Sequence, residues 1–159
     1  MITLEQTDDL AFVRSVFTHP KVWPFICDDG MDDPELYQPV NMPGVVYVMP
    51  RDAGLPMGCL MLVDQNAVTM ELHSALLPQY RGAQTAQVFR ALLAWLPEQF
   101  PGIRRLRTWV PGYNRPALVA ARRVGFEECG KEPNAYLKDG ALSDLHLFGV
   151  SFKCPQFPS

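Results

Sequence analysis

The sequence predicts a single α/β (α+β) domain in which a mixed sheet of six or seven strands packs against about four helices. Three apolar segments separated by short turns, over residues 45–49, 57–63 and 68–77, predict an antiparallel meander. A long amphipathic helix then leads to an apolar strand at residues 106–110. A strand–helix–strand crossover of this kind makes its two strands parallel, so the sheet is expected to contain both kinds of pair.

The N-terminal quarter predicts helices followed by a loop. Asp8 or Asp9 can cap a first helix that ends near Phe17. A second, shorter helical piece is expected over residues 21–28. The next segment, residues 28–43, is acidic and contains prolines, which predicts a surface loop. Loops of this length usually have a function, so this loop is a candidate wall of a groove that attracts a cationic substrate.

The C-terminal half predicts two helices and a hairpin. The first helix covers residues 82–100, with apolar positions at helical spacing on one face. Asn114 can cap the second helix, and Gly125 can end it in the left-handed conformation. Residues 126–137 and 142–152 then predict a terminal hairpin around an Asp-Gly turn.

Length and charge restrict the class of protein. With 159 residues and 48% apolar content, the chain is expected to form one domain over residues 1–159. The net charge of −3 gives no reason to expect a nucleic-acid or membrane partner. No apolar run approaches the ~18 to 20 residues that cross a bilayer, and the N-terminus lacks a leader pattern. A cytoplasmic protein is therefore expected.

The four cysteines, Cys27, Cys59, Cys129 and Cys154, are widely scattered along the chain. They form no Cys-x-x-Cys pair and have no nearby histidine that would indicate a zinc site, so no metal is expected. Buried free thiols in a reducing compartment are the expected state.

A strand, a tight turn and a helix N-terminus follow one another between Glu71 and Ala86. The apolar run at residues 72–77 stops at Pro78 and passes through a glycine-containing turn into the long helix. Such a junction leaves several backbone N–H groups unpaired at the positive end of the helix dipole. The segment from Arg81 to Ala86 is therefore predicted to bind a phosphate or diphosphate.

This junction resembles the acyl-CoA loop of the GNAT acetyltransferase superfamily, whose members often have the pattern Pro-x-Tyr-Arg-Gly-x-Gly there. Pro78, Tyr80, Arg81 and Gly82 match the pattern, and the preceding strand is in place. Gln84 stands where a second glycine or alanine is usual. Its amide can still bind an anion, while its side chain must either turn away from the diphosphate or bond to it.

A second match lies about thirty residues downstream, where the family has Asn-x-x-Ala and later a basic pair before Gly-Phe. Asn114 and Ala117 match the start of this pattern, and Arg122 precedes a second arginine and the Gly125-Phe126 pair. Two motifs in the right order and at the right separation make the resemblance strong over residues 44–126.

The resemblance implies acetyl-CoA as a co-substrate and no metal. In the family, the strand before the loop and the strand after the helix splay apart, and the pantetheine arm binds along the exposed backbone. A backbone N–H near Leu76 would also polarise the thioester carbonyl. The implied cofactor-binding residues are Ala75, Leu76, Leu77, Arg81, Gly82, Ala83, Gln84, Thr85, Ala86, Asn114 and Arg122.

Candidate catalytic groups lie on the strand before the loop. Strand alternation puts Glu71 and His73 on one face, and either could remove a proton from an incoming amine. The alternative is that His73 is a core histidine and Glu71 lies at the rim. Where the family usually has a tyrosine that protonates the departing thiolate, this chain has Ala121, so Tyr113 becomes the candidate acid, with Tyr136 as a second choice.

The resemblance implies an N-acetyltransferase that transfers an acetyl group to a primary amine of a small molecule or peptide by direct attack in a ternary complex. The missing tyrosine leaves an alternative open, a catalytically inactive protein that uses the GNAT fold for binding or structure. Exchange or pairing of terminal strands is a route to a homodimer in either case.

Overall fold

Eight strands and three α-helices make up residues 1–153, the part of the chain that the computed structural model describes. The helices are α1 (Leu10–Phe17), α2 (Ala83–Gln99) and α3 (Arg115–Arg123). The strands are β1 (Ile2–Gln6), β2 (Val45–Asp52), β3 (Leu55–Pro56), β4 (Gly58–Asn66), β5 (Thr69–Leu76), β6 (Arg105–Pro111), β7 (Glu127–Lys138) and β8 (Ala141–Ser151). Short 3-10 turns cover Trp23–Phe25, Pro34–Leu36 and Pro78–Tyr80.

The strands form one mixed sheet in the order β1-β2-β4-β5-β6-β8-β7, with β3 paired to β2. The only parallel pair among the described strands is β5 with β6, on either side of the α2 crossover, and the other pairs are antiparallel. The predicted mixed sheet, meander, crossover and terminal hairpin are confirmed.

The element count differs from the prediction at the N-terminus. Two strands were not predicted: the two-residue strand β3, and β1, which completes the sheet by pairing with β2 from Ile2↔Asp52 to Gln6↔Val48. The expected helix over residues 21–28 is a single 3-10 turn, so three α-helices replace the expected four. Pro24 explains the short turn, because it removes a donor that a longer helix would need.

The helix ends follow the local sequence. The carboxylate of Asp9 accepts a hydrogen bond from Phe12 N at 2.9 Å and begins α1. The Asn114 side chain accepts from Ala117 N at 3.3 Å and begins α3. Gly125 then takes a φ of +91°, as predicted for the residue that ends this helix.

The sheet separates two hydrophobic cores. Leu72 and Leu76 of β5 face α2 and α3, in a core that also contains Leu92 and Phe148. Ala75 faces the other side, where it packs with residues of α1. Successive side chains of a strand alternate between faces, so β5 contributes to both cores.

The cysteines differ in environment. Cys27 and Cys59 are buried free thiols as expected, whereas Cys129 is exposed at the edge strand β7. Burial raises the pKa of the Cys59 thiol to about 12. Cys154 lies outside the described residues. Within residues 1–153, no helix is both long and apolar enough to cross a membrane.

Candidate active site

A gap opens between β5 and β6 towards their C-terminal ends. The two strands pair only from Thr69↔Arg105 to Glu71↔Arg107. One residue further along each strand, the Thr108 hydroxyl donates to Leu72 O at 2.8 Å. This hydrogen bond marks the closed end of the gap. Beyond that point β5 stays with β4 and β6 stays with β8, which produces the splay that the resemblance implies.

Leu76 presents its backbone to this gap. Alternate residues of a strand direct their N–H and C=O groups to opposite neighbours, and Ala75 directs its groups to Cys59 of β4. Leu77 was also expected to expose its backbone, but its N–H donates to Met57 O at 2.9 Å and its C=O accepts from Tyr80 N. Of the three expected residues, Leu76 is therefore the one whose N–H points into the gap.

The Leu76 carbonyl has a partner within the protein. Arg81 Nε donates to it at 3.3 Å, and Arg81 Nη2 donates to Lys21 O at 2.6 Å. The same guanidinium lies over the Phe25 ring, 5.3 Å from its centroid. Arg81 thus joins the end of β5 to the segment that follows α1. Partial burial of the guanidinium lowers the pKa of Arg81.

The turn before α2 forms a cradle of backbone amides. Gly82 has a φ of +89°, which only glycine adopts readily, and α2 begins at the next residue. Among residues 1–153, no protein acceptor is engaged by the amides of Gly82, Ala83 or Gln84, whereas the amides of Arg81 and Thr85, which were predicted to belong to the cradle, donate to Pro78 O and Gly82 O. The Gln84 side chain donates to Asp52 Oδ2 at 3.4 Å, so it turns away from the cradle.

A cavity of about 510 Å³ connects the cradle to the gap. Its walls come from the end of β5, the start of α2, β6, one face of α3 and the segment after α1. The cavity therefore reaches both faces of the sheet. The predicted residues that line it are Ala75, Leu76, Arg81, Gly82, Thr85, Ala86 and Asn114.

Arg122 does not line this cavity. It donates to Glu128 Oε2 at 2.9 Å and its guanidinium lies over the Phe148 ring. Arg115 and Arg123 line the cavity instead. The sequence identifies two adjacent arginines at the end of α3, but which of them faces the cavity depends on how α3 packs.

Glu71 and His73 lie side by side on the α1 face of the sheet, and neither is among the residues that line the cavity. His73 Nε2 is 3.1 Å from Glu71 Oε1, and Arg107 Nε donates to Glu71 Oε2 at 2.9 Å. Hydrogen bonds and charge from His73 and Arg107 lower the pKa of Glu71. The Glu71 side chain is 14% exposed and that of His73 45% exposed, so the histidine is not a core residue.

Tyr113 and Tyr136 lie together at the edge of this region, with ring centroids 5.8 Å apart. The Tyr113 hydroxyl donates to Phe25 O at 3.3 Å, and burial raises the pKa of Tyr113. Its side chain is not among those that line the cavity. Ala121 is 8% exposed and lies in the cavity wall.

The loop after α1 is fastened to the terminal hairpin. The Asp29 carboxylate accepts from the amides of Asp139 and Gly140, each at 2.8 Å, and Asp29 N donates to Leu137 O at 3.1 Å. These backbone donors lower the pKa of Asp29. Lys138 Nζ lies 3.0 Å from Cys27 Sγ at the same junction. No local sequence pattern predicts these contacts, because their partners lie about 110 residues apart.

Gly58 is a site residue that the sequence analysis did not single out. A Cβ at this position would lie 2.8 Å from Leu76 Cα and would also strike Ala75 O. Only a glycine lets β4 approach β5 this closely. The close approach occurs directly beside the Leu76 amide, so Gly58 helps to fix the shape of the gap.

Several solved structures share this architecture. The spermidine N-acetyltransferase of Vibrio cholerae, solved with CoA and spermine, superposes with a TM-score of 0.76 over 94% of this chain and 95% of its own, at 16% identity. A Chromobacterium violaceum protein assigned to the GNAT family gives 0.72 over 94% and 82%, at 19% identity. An aminoglycoside acetyltransferase solved with coenzyme A gives 0.71 over 95% of both chains, at 15% identity.

This chain has the GNAT fold. No protein-family model and no curated protein matches the sequence. The fold predicted from the two motifs is confirmed. Within the GNAT fold, the splayed strands and the amide cradle of this chain meet at the C-terminal end of β5.

Proposed function

We propose that this protein is an acetyl-CoA-dependent N-acetyltransferase that acts on a primary amine. The observation that carries the proposal is the cavity that joins the amide cradle before α2 to the gap between β5 and β6. A cofactor can enter from the α2 and α3 face while an amine approaches from the α1 face. The two reactants would then meet within the sheet, where proximity supplies much of the rate.

The residues present fit CoA, which supplies an activated acyl group as a thioester. Three amides at the start of α2 can bind a diphosphate together with the helix dipole. Arg115 and Arg123 add positive charge at the cavity wall. The Leu76 N–H can hold the thioester oxygen and stabilise the negative charge that develops on it. The presence of CoA in related folds supports this assignment.

His73 is the proposed proton acceptor, and Glu71 is a positioning residue. Two partners hold Glu71 as a carboxylate with a lowered pKa, which makes it a weak base. Its contact with His73 Nε2 fixes the imidazole ring and stabilises the imidazolium that forms. The other ring nitrogen, Nδ1, is then the one available to take a proton from the amine.

No strong acid is needed for the leaving group in this scheme. A thiol has a pKa near 8.5, so it can leave as a thiolate and take a proton from water. The raised pKa of Tyr113 and the bond from its hydroxyl to Phe25 O make it a poor donor to this group. Ala121 therefore does not preclude turnover.

The proposed acceptor is a cationic amine of a small molecule or peptide. The loop that follows α1 carries Asp28, Asp29, Asp32 and Asp33, and Asp29 fastens it to the turn of the terminal hairpin. Negative charge on this side would attract an amine in its protonated form. The related folds solved with spermine or named for aminoglycosides support the same class.

Titration calorimetry with acetyl-CoA, followed by a thiol-release assay with a panel of primary amines, tests the proposal. We expect a micromolar Kd for acetyl-CoA and turnover with at least one polyamine. His73→Asn should reduce kcat about 100-fold and leave the Kd for acetyl-CoA unchanged. His146→Asn is the matched control, since His146, which pairs with Glu128, lies on β8, two strands away from the β5 strand that carries His73.

A second candidate function is a non-catalytic protein that binds a partner through this fold. The alanine at position 121 favours it, because a methyl group cannot transfer a proton. Acetyl-CoA binding without turnover of any amine would support this second function. Failure to bind acetyl-CoA at millimolar concentration would refute the proposed enzyme.

A further inference from the structure

An apolar chamber continues beyond the Leu76 amide. Leu72 lies four residues before Leu76 on the same strand, so about 13 Å of strand separate them. The hydrogen bond from Thr108 to Leu72 O marks the closed end of the gap between β5 and β6. Between the levels of Leu72 and Leu76, the cavity is lined by Ser74 and by six apolar residues, Leu72, Phe89, Val110, Ala121, Val124 and Phe126.

The chamber offers water few partners. Of the two hydroxyls at this level, that of Thr108 is already bonded to Leu72 O, which leaves the Ser74 hydroxyl as the side-chain partner for water, and the other six lining side chains are apolar. Water is stable in a cavity only where it finds two to four polar partners. An apolar group is therefore the occupant that suits this space.

Ala121 keeps the chamber open. It faces the cavity from α3 together with Ala117, one helical turn earlier. An aromatic ring at position 121 would project into the chamber and shorten it. Compared with a tyrosine, the alanine at this position therefore lacks both the ring that would shorten the chamber and the hydroxyl that would donate a proton.

We propose that the chamber binds an acyl chain longer than acetyl, and that Ala121 sets the chain length that the site accepts. This inference rests on the proposed function and specifies its acyl donor as a medium-chain acyl-CoA. With the thioester oxygen at the Leu76 amide, the chamber is the space that remains for the rest of the acyl group.

The transfer of the acyl group to the amine makes and breaks the same bonds for an acyl chain of any length. The amine nitrogen forms a bond to the acyl carbon, and the bond between that carbon and sulfur breaks with its electron pair going to sulfur. His73 accepts the proton that the ammonium form of the amine loses before attack. The nitrogen loses a second proton to water as the carbon–sulfur bond breaks, and sulfur gains one proton from water, so one proton is released overall. The products are an amide and free CoA.

Calorimetry with CoA, acetyl-CoA, butyryl-CoA and hexanoyl-CoA tests the inference on the unmodified protein. Each buried methylene strengthens binding by about 4-fold, so butyryl-CoA should bind about 15-fold more tightly than acetyl-CoA. Ala121→Phe should abolish this preference, so that the Kd values for butyryl-CoA and acetyl-CoA become equal. Ala94→Phe is the matched control, because Ala94 lies exposed on α2 outside the cavity lining. Ala121→Leu, a milder change, should weaken the preference.

The outcomes separate this inference from the proposed function. Equal or weaker binding of butyryl-CoA than of acetyl-CoA by the unmodified protein would overturn the inference and leave the proposed function intact. A chain-length preference that survives in both Ala121 variants would overturn the role of Ala121. Failure of CoA itself to bind would overturn the proposed function and the inference together.

Discussion

Gly58→Ala should distort the gap from the side of β4. The new Cβ would strike Ala75 O, its nearest atom, and lie 2.8 Å from Leu76 Cα, so the two strands must move apart by about 1 Å to reach ordinary van der Waals contact. The atoms in the way belong to the backbone, and no side-chain rotation can relieve the clash. Overpacking of this kind costs about 1 to 3 kcal/mol.

The displacement also moves the Leu76 N–H, which is proposed to bind the thioester oxygen. Misplacement by about 1 Å can cost about 100-fold in rate, so we expect kcat to fall between 10-fold and 100-fold. Urea unfolding measures the stability change, and a cost near 2 kcal/mol corresponds to a midpoint shift of about 1 M. Thiol release measures the rate.

Gly54→Ala is the control for this prediction. Gly54 also has a positive φ, +79°, but a Cβ there would meet nothing within 4 Å. The variant should therefore show the cost of backbone strain, about 1 kcal/mol, with no change in kcat. If Gly58→Ala lowers stability no more than Gly54→Ala and retains full activity, the reasoning from close approach is refuted.

Three further predictions concern the cradle, the carboxylate and the buried thiol. Gly82→Val should weaken acetyl-CoA binding at least 10-fold by calorimetry, because a branched side chain at φ +89° distorts the amides, and unchanged affinity would refute the cradle. The lowered pKa of Glu71 contributes stability that is present above its ordinary value of 4.5 and is lost as the pH falls through the folded-state pKa. The stability difference between the wild type and Glu71→Gln should therefore narrow between pH 6 and about pH 3 in urea titrations, and a constant difference would contradict this. Cys59, whose pKa is raised to about 12, should react with a thiol reagent at pH 8 only after unfolding, whereas exposed Cys129 should react at once.

The features that the sequence predicts well are those determined by neighbouring residues. The caps at Asp9 and Asn114 each bond an amide three residues away, so the local sequence contains both partners. The same holds for the turn at Gly82, whose conformation depends on a glycine in the right place. The parallel pair β5–β6 is predictable because crossover connections obey a general rule.

The features that the sequence does not predict depend on contacts between residues that are far apart in the chain. The strand β1 is polar at most positions and exists because β2 lies about 45 residues away to pair with it. The contact of Asp29 with the terminal hairpin spans about 110 residues. The direction of Arg122 is set by Glu128 and Phe148, which α3 meets only after the sheet forms.

The contact between Asp29 and the hairpin turn has a consequence for how the proposed enzyme can acquire a new acceptor preference. Because Asp29 binds main-chain amides, the contact requires the positive φ of Asp139 and Gly140 and no particular side chain at Asp139. Under the proposed function, the residues that bind the acyl donor, from β5 to α3, lie elsewhere in the chain and need not change with the turn. Amine recognition can then change in small steps while binding of the thioester stays the same.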